Sequence, residues 1–281
     1  MPANAISDLE AELDAFEPDE DLSRLLLFRI LAIEFPHRVA GGRTPEQAAA
    51  DMRHYLTALD LAESLSLGKI DLRAVQQLHG VLDGRSGPTP FRKIPVAVRP
   101  NFPGAAVRLT GTTPSDVVPR MEEMLEGIYR NPALKRFERI ALGYFELIRT
   151  HPFEDGNGRL SRLLLTALID HEFRSNVPLT ITRVMRSDFR RYHAAIRSQD
   201  ENVYARWLAY VTGAVTAELH AAGRFSVAFR NLSSNDRSLA LGKIRETTGA
   251  FRDGGGSEVL LQSASSRLSA ESARLLVGLM A

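Results

Sequence analysis

The sequence predicts a mainly α-helical protein, built as a bundle of helices with one small β-hairpin. Apolar residues recur at helical spacing through most of the 281-residue chain, and 44% of all residues are hydrophobic, enough to form a core. Only residues 83–114 break this pattern, because Gly and Pro punctuate two short β-prone runs there. No internal repeat of fixed period is visible.

The N-terminal part of the chain predicts an arm followed by two helices. Residues 1–20 are acidic and are expected to form a loosely ordered arm. Apolar residues on one broad face predict a helix from Asp21 to Phe35. The next helix should begin in the stretch Thr-Pro-Glu-Gln at 44–47, with Thr as the N-cap and Gln closing a capping box, and should run to about residue 63.

The rest of the chain predicts a flap, further helices and a tail. The runs IPVAV and AAVRLT flank NFPG and indicate a β-hairpin or flap at about residues 93–109. Helical periodicity predicts further helices at about 71–82, 114–129, 135–150, 158–174, 187–198 and 202–222. From Gly223 the chain is rich in turn residues and is expected to form a small helical appendage, with a last amphipathic helix in LSAESARLLVGLMA. We therefore expect three parts, at 1–44, 45–222 and 223–281.

Composition excludes several classes of protein. The chain has no Cys, which rules out disulfides, thiol nucleophiles and Cys-ligated metals. Its formal net charge of +1 argues against a protein that coats nucleic acid, and we expect no nucleic-acid partner. The most apolar run is too short to span a membrane and the N-terminus lacks a signal pattern, so we expect a cytoplasmic protein without membrane contact.

The stretch HPFEDGNGRLSR, residues 151–162, is the strongest functional signal. Gly156, Asn157 and Gly158 precede a helix, where backbone N–H groups and the helix dipole favour an anion. Arg159 and Arg162 are three residues apart and project from one face of the first turns, where their forked donors match phosphate oxygens. The spacing predicts a phosphate site.

Two further side chains in this stretch supply chemistry. Asp155 is a hard carboxylate beside the predicted phosphate site, and one carboxylate plus phosphate oxygens is a usual way to hold Mg²⁺. His151 has an ordinary pKa near neutrality and is therefore a candidate general base. Together these residues indicate a hydroxyl group that attacks a phosphoryl centre. The alternative is a capped interhelical turn with surface arginines.

The stretch resembles the signature of the Fic family, His-Pro-Phe-x-(Asp/Glu)-Gly-Asn-Gly-Arg-x-x-Arg, at every specified position. The resemblance extends over roughly residues 45–220 and includes the flap and the downstream segment RRYHAAI…RWLAYV. It implies a mainly helical Fic fold and a protein adenylyltransferase, which moves AMP from ATP to a Tyr, Thr or Ser hydroxyl of a target protein. His151 would be the base and Asp155 the Mg²⁺ ligand, while the loop backbone and both arginines would bind the ATP phosphates.

The resemblance also implies how a target docks. The flap, with Ile94, Val96 and Val98, would align the target as an added strand. Tyr192 and His193 lie in the downstream segment and are candidates for the nucleotide base or ribose site, although packing alone would also explain them.

The sequence also allows other hypotheses about the group that is transferred and about the reaction. Doc-type relatives carry Lys where this chain has Gly158 and use ATP as a phosphate donor, so Gly158 favours nucleotidyl transfer. Other family members use another nucleotide donor or remove AMP. A non-catalytic nucleotide-binding module is a further alternative, which an intact His151 and Asp155 disfavour.

Regulation is the last expectation. Many Fic proteins carry an inhibitory helix with a Glu that pairs with the second motif arginine, but no intact copy of its pattern occurs here. The nearest candidate is Glu34 in ILAIEF, where Ile30 and Phe35 replace the expected Ser/Thr and Gly/Asn. Glu34 is either an inhibitory residue or a solvated residue at a helix end. Without it, the enzyme would be constitutively active, with self-modification as one outcome, or controlled by an antitoxin-like protein.

Overall fold

The computed structural model describes residues 4–18, 42–62, 64–98, 109–174, 181–197 and 201–253, with residue 179 and single positions between 20 and 34. The helices of these ranges are α1 (Ala5–Ala15), α2 (Pro45–Ala62), α3 (Leu72–Leu82), α4 (Val117–Met124), α5 (Arg136–Thr150), α6 (Asn157–Phe173), α7 (Thr182–Ser187), α8 (Phe189–Arg197), α9 (Val203–Arg230) and α10 (Ser234–Asp253). The described positions between 20 and 34 are helical as well. The mainly α-helical prediction is confirmed.

Side-chain caps form at the starts of two helices, and the one at Thr44 follows its sequence signal. The backbone N–H of Thr44 donates to Gln47 Oε1 at 3.0 Å, and the N–H of Gln47 donates to Thr44 Oγ1 at 3.3 Å. This reciprocal pair is the capping box expected for α2. At α3, the Asp71 carboxylate accepts from the Ala74 N–H at 2.7 Å. Short side chains at both starts thus satisfy N–H groups that the helix itself leaves unpaired.

Helices α5 and α6 form the centre of the bundle. They pack against each other and are joined by the short loop that carries the sequence motif. Helix α2 packs on α6, and α9 packs on α5. Both central helices are therefore covered, and α6 is apolar over most of its surface, with Leu160, Leu163, Leu164, Leu165, Leu168 and Ile169 all buried. This packing gives the motif loop a rigid base.

The prediction of a loosely ordered arm at residues 1–20 is wrong for its first part. Residues 5–15 form α1, which packs on α5, α6 and α9. Its buried face consists of Ile6, Leu9 and Leu13. Burying such a side chain stabilises a structure by about 1.5–3 kcal/mol, so three of them outweigh the acidic residues on the outer face. The acidic residues of α1 contribute as well, because Glu10 accepts from the Phe137 N–H at the start of α5 and Asp14 pairs with Arg136.

The predicted helix end at residue 222 is also wrong. Helix α9 continues through Gly223 to Arg230, and Phe225 and Phe229 are buried beyond the glycine. A glycine inside a helix costs about 1 kcal/mol, which this packing offsets. The short helix α7 was not expected either, and it separates α6 from α8. The three-part division stays a prediction, although its boundary at 222–223 falls inside α9. The predicted C-terminal helix lies outside the described residues.

The flap is described only at its base. Strands β1 (Ala97–Val98) and β2 (Leu109–Thr110) pair antiparallel, with Ala97 opposite Thr110 and Val98 opposite Leu109. The predicted turn at NFPG lies outside the described residues. Ile94 is 52% exposed, and Val96 is half-buried, with its carbonyl accepting from the Gly111 N–H at 3.3 Å. None of the described helices is long and apolar enough to cross a membrane.

Candidate active site

The motif loop spans residues 151–156, between the end of α5 and the start of α6. Two left-handed residues turn the chain at its ends: His151 has φ 50° and ψ 60°, and Gly156 has φ 80° and ψ −4°. Glycine adopts this region readily, whereas it is uncommon for other residues. A Cβ at Gly156 would also lie 2.8 Å from His79 Nε2. Glycine is therefore needed at this end of the loop for two reasons.

The His151 ring is oriented by its own helix. Its Nδ1 lies 3.2 Å from the Ile148 carbonyl oxygen, which can only accept, so Nδ1 carries the proton in this contact. The neutral ring then keeps the lone pair on Nε2. Burial lowers the pKa of His151, and the Ile148 carbonyl opposes this shift. The imidazole is therefore neutral at pH 7 with Nε2 able to take a proton.

Asn157 closes the loop. Its Oδ1 accepts from the Phe153 N–H at 3.0 Å, and its Nδ2 donates to the Phe153 carbonyl at 2.8 Å. Its side chain is buried, and both of its polar atoms bond to the Phe153 backbone. The first backbone bond within α6 runs from the Leu160 N–H to the Gly156 carbonyl at 3.0 Å. The preceding N–H groups of the first turn thus have no partner within the helix and are available to an anion.

Arg159 points back to the end of α3. Its Nη1 donates to the Leu82 carbonyl at 3.2 Å, and its Nη2 lies 3.3 Å from Asp83 Oδ1 and 3.5 Å from Asp155 Oδ2. Asp155 is 86% exposed. The guanidinium therefore lies beside an open carboxylate, as a metal-and-phosphate site requires. Among the described residues, no group of three His, Asp or Glu side chains is placed to hold a metal by itself.

Arg162 pairs with Glu34. Its Nε lies 3.3 Å from Glu34 Oε1, and the Glu34 side chain is 1% exposed. The Thr182 hydroxyl donates to the same Oε1. Burial alone would lower the pKa of Arg162, but the Glu34 carboxylate raises it above its ordinary value, with contributions from Tyr144 and Tyr192. The alternative of a solvated Glu34 is wrong, because the described apolar residues Leu26, Ile30 and Leu31 of its segment are all buried with it.

This geometry can be compared with known proteins. Residues 69–169 match the model of the Fic/DOC family. Over this part of the chain, the sequence is thus similar to a Fic domain. The matched Fic region includes α3, the flap, α5, the motif loop and most of α6, whereas Glu34 lies outside it.

Several known Fic proteins are similar to this chain. The protein adenylyltransferase Fic of Nematostella vectensis is 28% identical over 162 residues, which are 56% of this chain and 34% of that protein. The chain thus matches about a third of that relative. A Fic family protein from Desulfovibrio desulfuricans has a TM-score of 0.62 at 18% identity, covering 86% of this chain and 85% of that one. A Fic domain-containing signaling protein from Bacteroides thetaiotaomicron has a TM-score of 0.58 at 16% identity, covering 78% and 95%. These likenesses support the mainly helical Fic fold.

Two residues that contact the Fic motif were missed in the sequence. His79 on α3 stacks on Phe153 with ring centroids 3.7 Å apart, and its Nε2 lies 2.8 Å from the Asp155 carbonyl oxygen. Burial lowers the pKa of His79, so the neutral ring donates from Nε2 to this carbonyl. Arg92 precedes the flap and contacts the other end of the loop. No spacing rule links either residue to its contact in the motif, which lies 59 positions later for Arg92 and 76 positions later for His79.

Tyr192 and His193 lie on α8, outside the range that matches the Fic/DOC family. The Tyr192 hydroxyl is 3.0 Å from the Tyr144 hydroxyl, and both rings are buried next to Arg162. His193 is half-buried, and its ring meets Phe189 edge-on with centroids 4.3 Å apart. Burial and the nearby Arg197 lower the pKa of His193 to about 4. Packing explains both positions, and their contact with a nucleotide base or ribose stays a prediction.

Proposed function

We propose that the protein is an adenylyltransferase, which transfers AMP from ATP to a Tyr, Thr or Ser hydroxyl of a protein and releases pyrophosphate. The observation that carries this proposal is the His151 ring. Its Nδ1 is committed to the Ile148 carbonyl, which leaves Nε2 as a base next to the N-terminus of α6. A module that only binds a nucleotide has no use for an oriented base.

The reaction assigns one role to each motif residue. Nε2 of His151 takes the proton of the target hydroxyl, whose oxygen attacks the α-phosphorus and forms the new P–O bond. The bond to the β-phosphate oxygen breaks, and pyrophosphate leaves. The free N–H groups at the start of α6 face the negative charge that grows on the α-phosphate oxygens. Arg159 and Arg162 bind the remaining phosphates with forked donors.

Asp155 fits a Mg²⁺ ligand. Its carboxylate is 86% exposed and lies next to the phosphate site, and the other ligands would come from phosphate oxygens and water. Bound there, Mg²⁺ would neutralise phosphate charge. The bond between His79 and the Asp155 carbonyl fixes the backbone at this ligand. Arg159, 3.5 Å from the carboxylate, would bind a phosphate on the same side.

Gly158 supports nucleotidyl rather than phosphoryl transfer. A Cβ at this position would lie 3.3 Å from Arg162 Nη1. A larger side chain would therefore displace Arg162 from its place above the first turn. With glycine, Arg162 keeps this place, so that once Glu34 is displaced it can bind the end of the triphosphate, which leaves the α-phosphate near His151.

The flap would supply the docking edge for the target. Its strands β1 and β2 are two residues long in the described part, and Ile94 at the base is 52% exposed. Backbone pairing along such an edge accepts varied sequences, because the contacts are to the main chain. The class of partner is therefore a protein segment in extended conformation with a hydroxyl residue.

Glu34 would inhibit the reaction. Its carboxylate holds Arg162 through an ion pair in which the Glu34 side chain is 1% exposed. A triphosphate needs the same donors, so ATP must displace Glu34 before its α-phosphate reaches His151. The enzyme would then be held in a low-activity state by its own N-terminal segment. This makes a separate antitoxin-like regulator unnecessary for inhibition.

The test is His151→Ala, assayed with ATP and Mg²⁺ in cell lysate and read by mass spectrometry for AMP-modified proteins. We expect transfer to fall by about 10²–10⁴-fold, the usual contribution of a general base, while ATP affinity by calorimetry is unchanged. His220→Ala is the matched control, because this His is exposed and pairs with Glu12 away from the motif. Full transfer by His151→Ala would refute the mechanism.

A further inference from the structure

Arg92 joins the flap to the motif loop. Its Nε donates to the His151 carbonyl at 2.6 Å, and one Nη2 proton reaches the Thr150 carbonyl at 3.2 Å. Its backbone N–H donates to the Pro152 carbonyl at 2.9 Å. Three successive carbonyl groups at the end of α5 thus accept from this one residue.

The same guanidinium also binds both ends of the flap. Nη1 donates to the Ile94 carbonyl at 2.9 Å, and Nη2 donates to the Thr112 carbonyl. Ile94 precedes β1 and Thr112 follows β2, so the two sides of the hairpin base converge on Arg92. The side chain is 4% exposed, and within the described ranges no carboxylate forms an ion pair with it.

A buried arginine bonded only to carbonyl groups is costly unless its donors are satisfied. Here the forked planar group reaches four carbonyl oxygens of two segments, which a lysine could not do at once. The carbonyl groups at the end of α5 are also the negative end of that helix dipole, which favours a cation there. The forked shape of the Arg92 guanidinium therefore joins the two segments, whereas its positive charge interacts with the C-terminal end of α5.

We propose that Arg92 is a positioning residue that holds the flap and the base His151 in one rigid frame, so that a target docked on the flap presents its hydroxyl to His151. The proposal rests on the adenylyl transfer proposed above. Arg92 itself touches neither the phosphate site nor Nε2. It acts by fixing the left-handed backbone of His151 against the flap base.

The close packing around Gly111 supports the proposal that Arg92 holds the flap against His151. A Cβ at Gly111 would lie 2.9 Å from Arg92 Nη2, 3.1 Å from His151 Cβ and 3.1 Å from Val96 Cγ2. The flap, Arg92 and His151 thus meet at a point where no methyl group fits without movement. Gly111→Ala therefore disturbs the same junction while Arg92 keeps its charge.

The charge of Arg92 also acts on the His151 ring. Burial is the main cause that lowers the pKa of His151, and Arg92 lowers it further, while Asp155 opposes both. Removing the positive charge should raise this pKa, and replacing Arg by Lys should leave it near the value of the natural protein. NMR titration of the His151 ring measures this effect without any substrate.

The experiment compares Arg92→Met, Arg92→Lys and Gly111→Ala with Arg130→Met as the matched control. Arg130 also donates to a backbone carbonyl, that of Ile70 at 3.1 Å, but away from the motif. We expect the kcat of AMP transfer to fall by about 10²-fold in both Arg92 variants, because a misplacement of reacting groups by about 1 Å has an effect of this size. ATP affinity should be unchanged. Gly111→Ala should lower kcat in the same way, and Arg130→Met should not.

The outcomes separate this proposal from the proposed function. If the natural protein transfers AMP and Arg92→Met keeps its kcat, the positioning role is refuted. A parallel loss of ATP affinity and kcat would also refute it, because the effect would then be general damage to the fold. If neither the natural protein nor Glu34→Gly transfers AMP, the proposed function fails. Amide hydrogen exchange then decides the inference: it is upheld if the Gly111 N–H, which bonds to the Val96 carbonyl at the flap base, exchanges faster in Arg92→Met and Arg92→Lys than in Arg130→Met, and refuted otherwise.

Discussion

Arg159 and Arg162 lie three residues apart on α6 and are almost equally buried, with side chains 12% and 11% exposed. Their partners differ. Arg159 lies between the carboxylates of Asp83, 29% exposed, and Asp155, 86% exposed. Arg162 faces Glu34, which is 1% exposed. Water screens the first set of contacts, whereas the second is almost closed to water.

The difference in exposure of these carboxylates indicates which of the two arginines can bind a phosphate without breaking a buried ion pair. Exposed carboxylates are solvated and give up a guanidinium at little cost. A buried carboxylate that loses its arginine keeps an uncompensated charge, which is strongly unfavourable. We therefore infer that Arg159 is ready for phosphate and that Arg162 becomes available only when the Glu34 segment moves. The first site belongs to the Fic region and the second depends on residues before it.

The largest expected effect is on stability. Arg162→Ala should lower the free energy of unfolding by about 3 kcal/mol, because Glu34 stays buried without its ion pair. Arg159→Ala should cost about 1 kcal/mol or less, because its partners remain in contact with water. Urea denaturation at pH 7 measures both.

A matched double variant sharpens this comparison. Removing the Glu34 charge in Arg162→Ala, by adding Glu34→Gln, should restore part of the lost stability, since no charge is then left buried. Equal losses for the two arginine variants, or no recovery in the double variant, would contradict the assigned difference between the two environments.

A smaller effect is expected on activity. Glu34→Gly should raise auto-modification severalfold and strengthen ATP binding, because Arg162 is freed for the triphosphate. Asp83→Asn, which removes an exposed partner of Arg159, should change both by much less. Auto-modification rates under identical ATP and Mg²⁺ test this pair of variants. Equal rates for Glu34→Gly and the natural protein, both folded, would remove the inhibitory role.

Local signals explain what the sequence predicted. The capping box at Thr44 depends on residues within three positions, so it forms as the pattern indicates. The motif likewise combines its residues within one loop and one helix turn. The ring orientation of His151 follows from Ile148, three residues before it.

Long-range contacts explain what the sequence did not predict. The acidic composition of residues 1–20 concealed α1, because its three buried apolar residues and the partners of its acidic side chains, such as Phe137 for Glu10 and Arg136 for Asp14, lie on or beside distant helices. Arg92 reaches His151 across 59 positions, and His79 reaches Asp155 across 76. Neither residue type nor spacing reveals such contacts without the fold. Glu34 was ambiguous for the same reason, since its partner lies on α6.

The central claim is transfer of AMP, and the label position in ATP tests it most directly. The Glu34→Gly protein is incubated with ATP labelled either at the α-phosphate or at the γ-phosphate, and the label on protein is then measured. The account predicts that the α-label becomes attached to protein, with His151→Ala in the same background abolishing it, and that the γ-label is released in pyrophosphate. Attachment of the γ-label would show phosphoryl transfer and would contradict the account.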